Sequence, residues 1–280
     1  MNTNIVEMTN EAYHSDTSRI SKSGLDLINK SPAHYWEHYL NPNREPEQQT
    51  EAKAIGTVIH HAILEPHLFE RRYHCLNDED VIAQIGGKAP RNTNKYRDWL
   101  AEQMAMHADK KLLGQDDFNT ALRMRDAVHA HPAAAVLLQA GSAEQTVLFD
   151  EPQTGAACKI RPDWLSETGF IVDVKSTEDA SPYGFGKSSH NYRYDVQGSF
   201  YKDGITYATG QHPEGFAFIA LEKKPPYLVG VYFVTDEVFE LGRKKYLSNL
   251  QTYIECLRKN KWPGYSEYME PLSFPKYGIK

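Results

Sequence analysis

The sequence predicts an α/β chain, and three features carry that expectation. Residues 21–140 are dominated by helical spacing. Residues 141–235 switch to short β-rich runs separated by Gly- and Pro-containing turns, with one helix among them. A final amphipathic run reads as a single long closing helix. At 280 residues the chain is long enough to bury a sizeable core. Forty per cent hydrophobic and 24% charged residues exclude wholesale disorder and collagen-like repetition. The mean hydropathy is −0.60, and no apolar run approaches the ~20 residues of a membrane helix, so no membrane partner is expected.

The expected organisation is one domain over 1–280: a loose arm at 1–20, a mainly helical region at 21–140, a sheet and helix at 141–235, and a C-terminal helix and tail at 236–280. The arm has neither the basic start nor the apolar stretch of a secretory signal. Cys75, Cys158 and Cys256 are widely separated, with no CxxC pair. That argues against a disulfide framework or a cysteine metal cage and fits a reducing cytoplasm.

Taken in order, 21–40 suggests two short helices, the second opened by Pro32 at its first turn. Pro42 and Pro46 bracket a connector. Residues 50–66 read as a helix with Ile55, Ile59 and Ile63 in one row and Pro66 as the stop. Residues 67–92 read as an irregular loop, followed by helices near 93–109 and 115–130 and a short one after Pro132. AEQTVLFD (143–150), GAACKIRPDWL (155–165) and GFIVDVKST (169–177) suggest a meander of strands. A helix near 192–210, strands in GFAFIALE and YLVGVYFV, and a helix from about Asp236 to Lys259 complete the chain.

Net charge is −6, from 31 Lys+Arg against 37 Asp+Glu. Residues 1–150 hold 15 basic and 21 acidic residues, whereas 151–280 hold 16 of each, so the surplus lies in the first half. A chain with this balance needs a local basic groove or a divalent cation to offset nucleic-acid phosphates.

The chemistry concentrates in GFIVDVKST. Alternation puts Phe170, Val172 and Val174 on one strand face and Ile171, Asp173 and Lys175 on the other. Mid-strand charges are unfavourable unless paired or bound to something. CKIRPDWL places Asp163 at the tip of the preceding strand, and a tight hairpin over 166–169 brings it near Asp173. Two carboxylates and a lysine converging at a strand end suit a hard cation such as Mg²⁺ or Mn²⁺. The competing reading is a surface hairpin with a cross-strand Lys–Asp pair.

This PD…DVK arrangement resembles the PD-(D/E)XK nuclease signature. GTVIH (56–60) resembles the GxxxH motif of its RecB-like branch, and QGSFY (197–201) that branch's QxxxY motif. ISKSGLDLINKSPAHYWEHYL and IHHAILEP are similar to the RecE-type nuclease domain and its phage-encoded relatives; the matches span about residues 19–205. The resemblance implies a central mixed sheet flanked by helices, with an added N-terminal helical region. It implies a metal-dependent 5′-to-3′ exodeoxyribonuclease that acts on linear double-stranded DNA and leaves 3′ single-stranded tails for recombination by strand annealing. Mg²⁺, with Mn²⁺ as substitute, would be held by His60, Asp163, Asp173 and the Val174 carbonyl. Lys175 would position or deprotonate the attacking water, and Gln197 and Tyr201 would orient the DNA backbone or groups around the metal. The family further implies a ring-shaped homotetramer and a RecT-like single-strand annealing partner.

Other readings stay open beside it: a sequence-specific endonuclease of the same fold, or a catalytically silent DNA-binding or scaffold module. Retention of Asp163, Asp173 and Lys175 together disfavours the silent module. An iron–sulfur nuclease is excluded, because three cysteines cannot build a Cys₄ cluster. Gly56 lies one helical turn before His60 and leaves the face beside the imidazole bare; His61 points about 100° away and serves as its control. Gln197 and Tyr201 are also one turn apart, with plain helix packing as their alternative role. Arg161 suits a phosphate contact or a surface ion pair, and Glu144 is a candidate neighbour of the acids. Ser176 and Thr177 suit phosphate contacts or turn roles. The basic runs at 243–245 and 258–261 suit a solvated face better than a DNA track.

Overall fold

The computed structural model describes residues 4–45, 51–86 and 90–272. In chain order, β1 (Ile5–Val6) and α1 (Asn10–Ser15) precede α2 (Lys22–Lys30) and α3 (Pro32–Tyr35), which continues into a π-helical turn over Trp36–Leu40. α4 (Glu51–Leu64) and α5 (Pro66–Arg72) lead to β2 (Tyr73–Leu76), α6 (Asp78–Ile85), α7 (Asn94–Met106) and β3 (Lys111–Gly114). α8 (Gln115–Ala130) and α9 (Pro132–Leu138) finish the helical half. Then come β4 (Gly141–Ala143), β5 (Thr146–Asp150), β6 (Ala157–Ile160), β7 (Trp164–Ser166) and β8 (Phe170–Thr177). α10 (Pro182–Asn191), α11 (Tyr194–Thr209), β9 (Gly215–Glu222), β10 (Val229–Phe233) and α12 (Asp236–Lys259) complete the order.

Local chemistry explains the helix limits. The Ser21 and Ser31 hydroxyls accept from Gly24 N and His34 N to cap α2 and α3, and Pro32 sits where its missing N–H costs nothing. α12 starts with Asp236 and Glu237 and ends with Arg258 and Lys259, the charge order that suits its dipole; Asn260 in the left-handed region stops it. α4 buries Ile59 and Ile63, with Ile55 packed against the same cluster.

A mixed five-stranded sheet in the order β10-β9-β8-β7-β4 forms the centre. β8 and β9 are parallel, and the other three pairings are antiparallel. Parallel neighbours need a long crossover, supplied here by α10 and α11. β1, β5 and β6 form a separate antiparallel sheet, and β2 pairs in parallel with β3. Two apolar clusters cover the two faces of β8: Val172 and Val174 pack with helices α4 and α8, and Ile171 packs with α11 and α12.

Several expectations are corrected. The arm is not loose: β1 pairs with β5, Tyr13 of α1 is buried, and Ile20 bridges to Cys158. The stretch 67–92 is not an irregular loop but holds α5, β2 and α6. A four-residue strand is too short to show a period, and its partner β3 lies far along the chain. The single meander is in fact two sheets. GAACKIRPDWL breaks at Arg161–Asp163, where Pro162, having no N–H for a ladder, lets the chain pass from one sheet to the other. Ile171, assigned to the charged face, is core as well, so β8 is buried on both sides. Pro46 of the expected connector, residues 87–89 of the expected loop and the tail from 273 lie outside the described residues.

Candidate metal centre

The break between β6 and β7 places Asp163 at the seam of the two sheets. Its Oδ2 accepts the Val174 N–H at 2.8 Å, so the β7–β8 register sets the carboxylate beside the second strand. Residue N–H and C=O groups share a strand edge in β structure, and the Val174 carbonyl is accordingly in reach of the His60 ring. His60 Nδ1 stands 3.6 Å from Asp163 Oδ2. Around Gly56, one turn earlier on α4, an added Cβ would meet nothing, so the helix face beside the imidazole is open.

Glu144 completes the group. Ligand atoms of His60, Glu144 and Asp163 all lie within 4.8 Å of one another. Glu144 follows β4 with φ of 52°, and its N–H donates to the Asp163 carbonyl at 3.1 Å. That left-handed turn aims the side chain inward, out of the strand alternation from which Glu144 was considered. Arg161 holds it with Nε on Glu144 Oε2 at 2.7 Å, and contacts Met8 O and Thr146 Oγ1 as well. Of its two expected roles, Arg161 therefore takes the ion pair.

Asp173 lies beside this group but is engaged differently. Gln197 of α11 donates its amide to Asp173 Oδ1. Lys175 Nζ is 2.5 Å from Oδ2, so the ammonium pairs with the second oxygen of this buried carboxylate. Burial of this charge is tolerable because it is paired. Tyr201, one turn beyond Gln197, is buried and lines both adjoining clefts together with Asp163. The larger cleft, about 700 Å³, opens past His60, Glu144 and Arg161; the smaller, about 430 Å³, opens past Asp173, Lys175 and Tyr194.

Burial, followed by the neighbouring Asp173 charge, raises the Asp163 pKa well above the usual carboxylate value; Lys175 and the Val174 N–H offset part of this. Burial lowers the His60 pKa, against the pull of Asp173. Burial also opposes charge on Lys175, but Asp173 and Asp163 outweigh it and hold the ammonium above its ordinary pKa. The centre thus keeps His60 neutral and Lys175 protonated at neutral pH, while Asp163 resists ionising without a cation.

Other candidates fall outside. His61 turns away to Tyr73 Oη at 2.7 Å, and burial lowers its pKa to about 4. Thr177 Oγ1 is used in a turn with Asp179, and Ser176 is exposed. In the basic runs, Arg243 pairs with Asp203 and Glu240, Lys245 with Asp195, Lys259 with Glu255 and Lys261 with Glu267.

A mixed sheet with acids at the seam, a lysine two residues on, and a crossover helix over the strand defines the PD-(D/E)XK nuclease fold class. The family model for the PDDEXK-like domain of unknown function (DUF3799) matches residues 21–273, and the chain belongs to that family. A crystal structure from Eubacterium rectale, provisionally described as an exonuclease, is similar over 96% of this chain and 97% of its own, at 15% identity and a TM-score of 0.63. An alkaline exonuclease from Laribacter hongkongensis matches 66% of this chain and 97% of its own at 15% identity, with a TM-score of 0.26. None of the curated proteins matches the chain.

Proposed function

We propose that this chain is a metal-dependent 5′-to-3′ exodeoxyribonuclease that degrades linear double-stranded DNA and leaves 3′ single-stranded tails. The observation that carries the hydrolytic reading is the convergence of His60, Glu144 and Asp163 beside the Asp173–Lys175 pair. One imidazole and carboxylate oxygens suit Mg²⁺ or Mn²⁺, and Asp173, whose Oδ2 pairs with Lys175, adds a further carboxylate. In this reading His60, Glu144, Asp163, Asp173 and the Val174 carbonyl hold the cation. When bound, it supplies Lewis acidity at the scissile phosphate and lowers the pKa of an adjacent water.

The protein's own groups do the rest. Lys175, held as ammonium, positions the water and offsets the charge that develops on the phosphate oxygens; its raised pKa suits this role better than proton removal. Gln197 fixes one oxygen of Asp173 so that the other faces the site. Tyr201 lines the wall between the clefts and orients the backbone of the bound strand. No covalent intermediate is needed.

The polarity, the tailed product, the tetrameric ring and a RecT-like annealing partner rest on the RecE resemblance. The scattered cysteines support a cytoplasmic location, and the proposal takes residues 1–280 as one domain. A ring repeats weak contacts around an enclosed strand, which compensates a net charge of −6. The test incubates purified protein with linear duplexes labelled at either end and with covalently closed circles, each with and without Mg²⁺, and measures mass by light scattering. Release of the 5′ label from linear DNA alone, in Mg²⁺ and by a tetramer, is expected. Cleavage of closed circles by a monomer would move the assignment to the endonuclease reading.

A further inference from the structure

The smaller cleft carries an aromatic ladder that the hydrolytic reading does not use. Phe218 is the register partner of Asp173 in the parallel β8–β9 pair. Tyr194 stacks on Phe218 with centroids 5.0 Å apart and planes at 25°. Tyr192 stacks on Tyr194 at 5.9 Å, again at 25°. The ladder therefore runs outward from beside Asp173, and its last ring, Tyr192, is 63% exposed. Two ammonium groups flank the middle ring: Lys175 Nζ at 5.1 Å and Lys22 Nζ at 6.0 Å from its centroid.

The turn bearing these rings is held rigidly. Arg193, between the two tyrosines, adopts a left-handed conformation at φ 55°, unfavourable for a side chain with a Cβ. Three hydrogen bonds offset the strain: to Leu25 O at 3.2 Å, Asp26 Oδ1 at 2.9 Å and Asn249 Oδ1 at 2.6 Å. Lys22 Nζ also donates to the Tyr192 carbonyl at 2.7 Å. Backbone strain sustained by its surroundings, next to a reactive centre, is the usual mark of a positioned binding element. A merely decorative surface tyrosine needs no such clamp.

From this geometry we infer that Tyr192 is a stacking platform for a nucleobase of the strand whose phosphate faces Lys175, and that the base must be unpaired to reach it. Cations take the phosphate while the exposed ring takes the flat face of the base, a combination that reads single strands with little regard to sequence. The inference rests on the nuclease reading and adds its substrate form: the end of a duplex must fray by at least one base for productive seating. It makes Tyr192 a positioning residue for substrate.

The test measures binding of the full chain, in Ca²⁺, to duplexes with one unpaired terminal base or an abasic nucleotide at that position. Wild type and Tyr192→Phe are expected to prefer the base by about tenfold, the scale of one base–aromatic stack. Tyr192→Ala should bind both duplexes equally, at the affinity wild type shows for the abasic one. Circular dichroism checks that the exposed substitution leaves the fold intact. Retention of the base preference by Tyr192→Ala, or its absence in wild type, overturns the inference. Base preference without any Mg²⁺-dependent cleavage would overturn the nuclease reading alone.

Discussion

Gln197 reaches from the crossover helix to donate to Asp173 Oδ1, leaving Asp173 Oδ2 to pair with the Lys175 ammonium at 2.5 Å. One carboxylate is thereby held at both oxygens, by an amide on one and an ammonium on the other. The crossover that permits β8 and β9 to run in parallel also delivers the amide that orients the acid.

Replacing Asp173 by Asn keeps the shape and removes the charge. Nuclease activity is expected to fall at least about a hundredfold with the far-ultraviolet circular dichroism unchanged. Lys175→Ala should lose activity to a similar extent but also melt lower, because it strips the ion-pair partner from a carboxylate that is 2% exposed. Near-normal Mg²⁺-dependent cleavage by either variant would remove the pair from the mechanism.

The adjacent histidines separate cleanly. His60→Ala should raise the metal concentration needed for half-maximal rate by roughly ten- to a hundredfold. His61→Ala loses only a hydrogen bond to Tyr73 and should lower stability by about 1 kcal/mol with little change in metal requirement. A metal titration of rate and a thermal melt on each variant give the comparison. An equal metal effect at both positions contradicts the geometry.

Glu144→Gln is expected to weaken Mn²⁺ binding about tenfold, read by calorimetry on the uncleaving Lys175→Ala background. Unaltered affinity would leave Glu144 as no more than the Arg161 partner.

The raised Asp163 pKa makes a signed statement about stability without metal. The folded state holds this proton more tightly than the unfolded chain, where the carboxyl titrates near 3.8. That stability is fully present below the unfolded value and is lost as pH rises through the folded one. His60 works in the opposite sense: its lowered pKa favours the fold above about 6.5 and ceases to as pH falls through the folded value. Metal-free protein should therefore show an Asp163-dependent fall in Tm above pH 4 that Asp163→Asn abolishes. Saturating Mn²⁺ should raise Tm more at neutral than at acid pH. A Tm difference between wild type and Asp163→Asn that does not vary with pH would contradict the raised pKa.

Much of this was legible in the sequence because the periodic elements are long. α4, α8, α11 and α12 declare themselves by spacing, and α12 occupies the expected limits. Asp173 and Lys175 stand out because charges interrupt an otherwise apolar strand, Asp163 because it lies at the tip of the strand before it, and His60 through the GTVIH resemblance. β2, β4 and β1 were beyond reach because strands of two to four residues carry no readable period and take their partners from distant segments. The direction of Glu144 has no local signal for a related reason: it is set by one left-handed residue, not by alternation. The Tyr192 ladder depends on β9 lying beside β8, a tertiary fact with no local signal.

α11 is enclosed along most of its length: Val196 to Tyr201 are all buried, and an added Cβ on Gly204 would strike the Phe149 ring. The wall of the centre that carries Gln197 and Tyr201 therefore cannot shift without repacking the interior, and its amides should exchange with solvent only through unfolding of the whole. The short β1 and α1 also line the larger cleft, and of the residues of these two elements only Tyr13 is buried. Any give along the larger cleft thus falls to these short elements and not to α11.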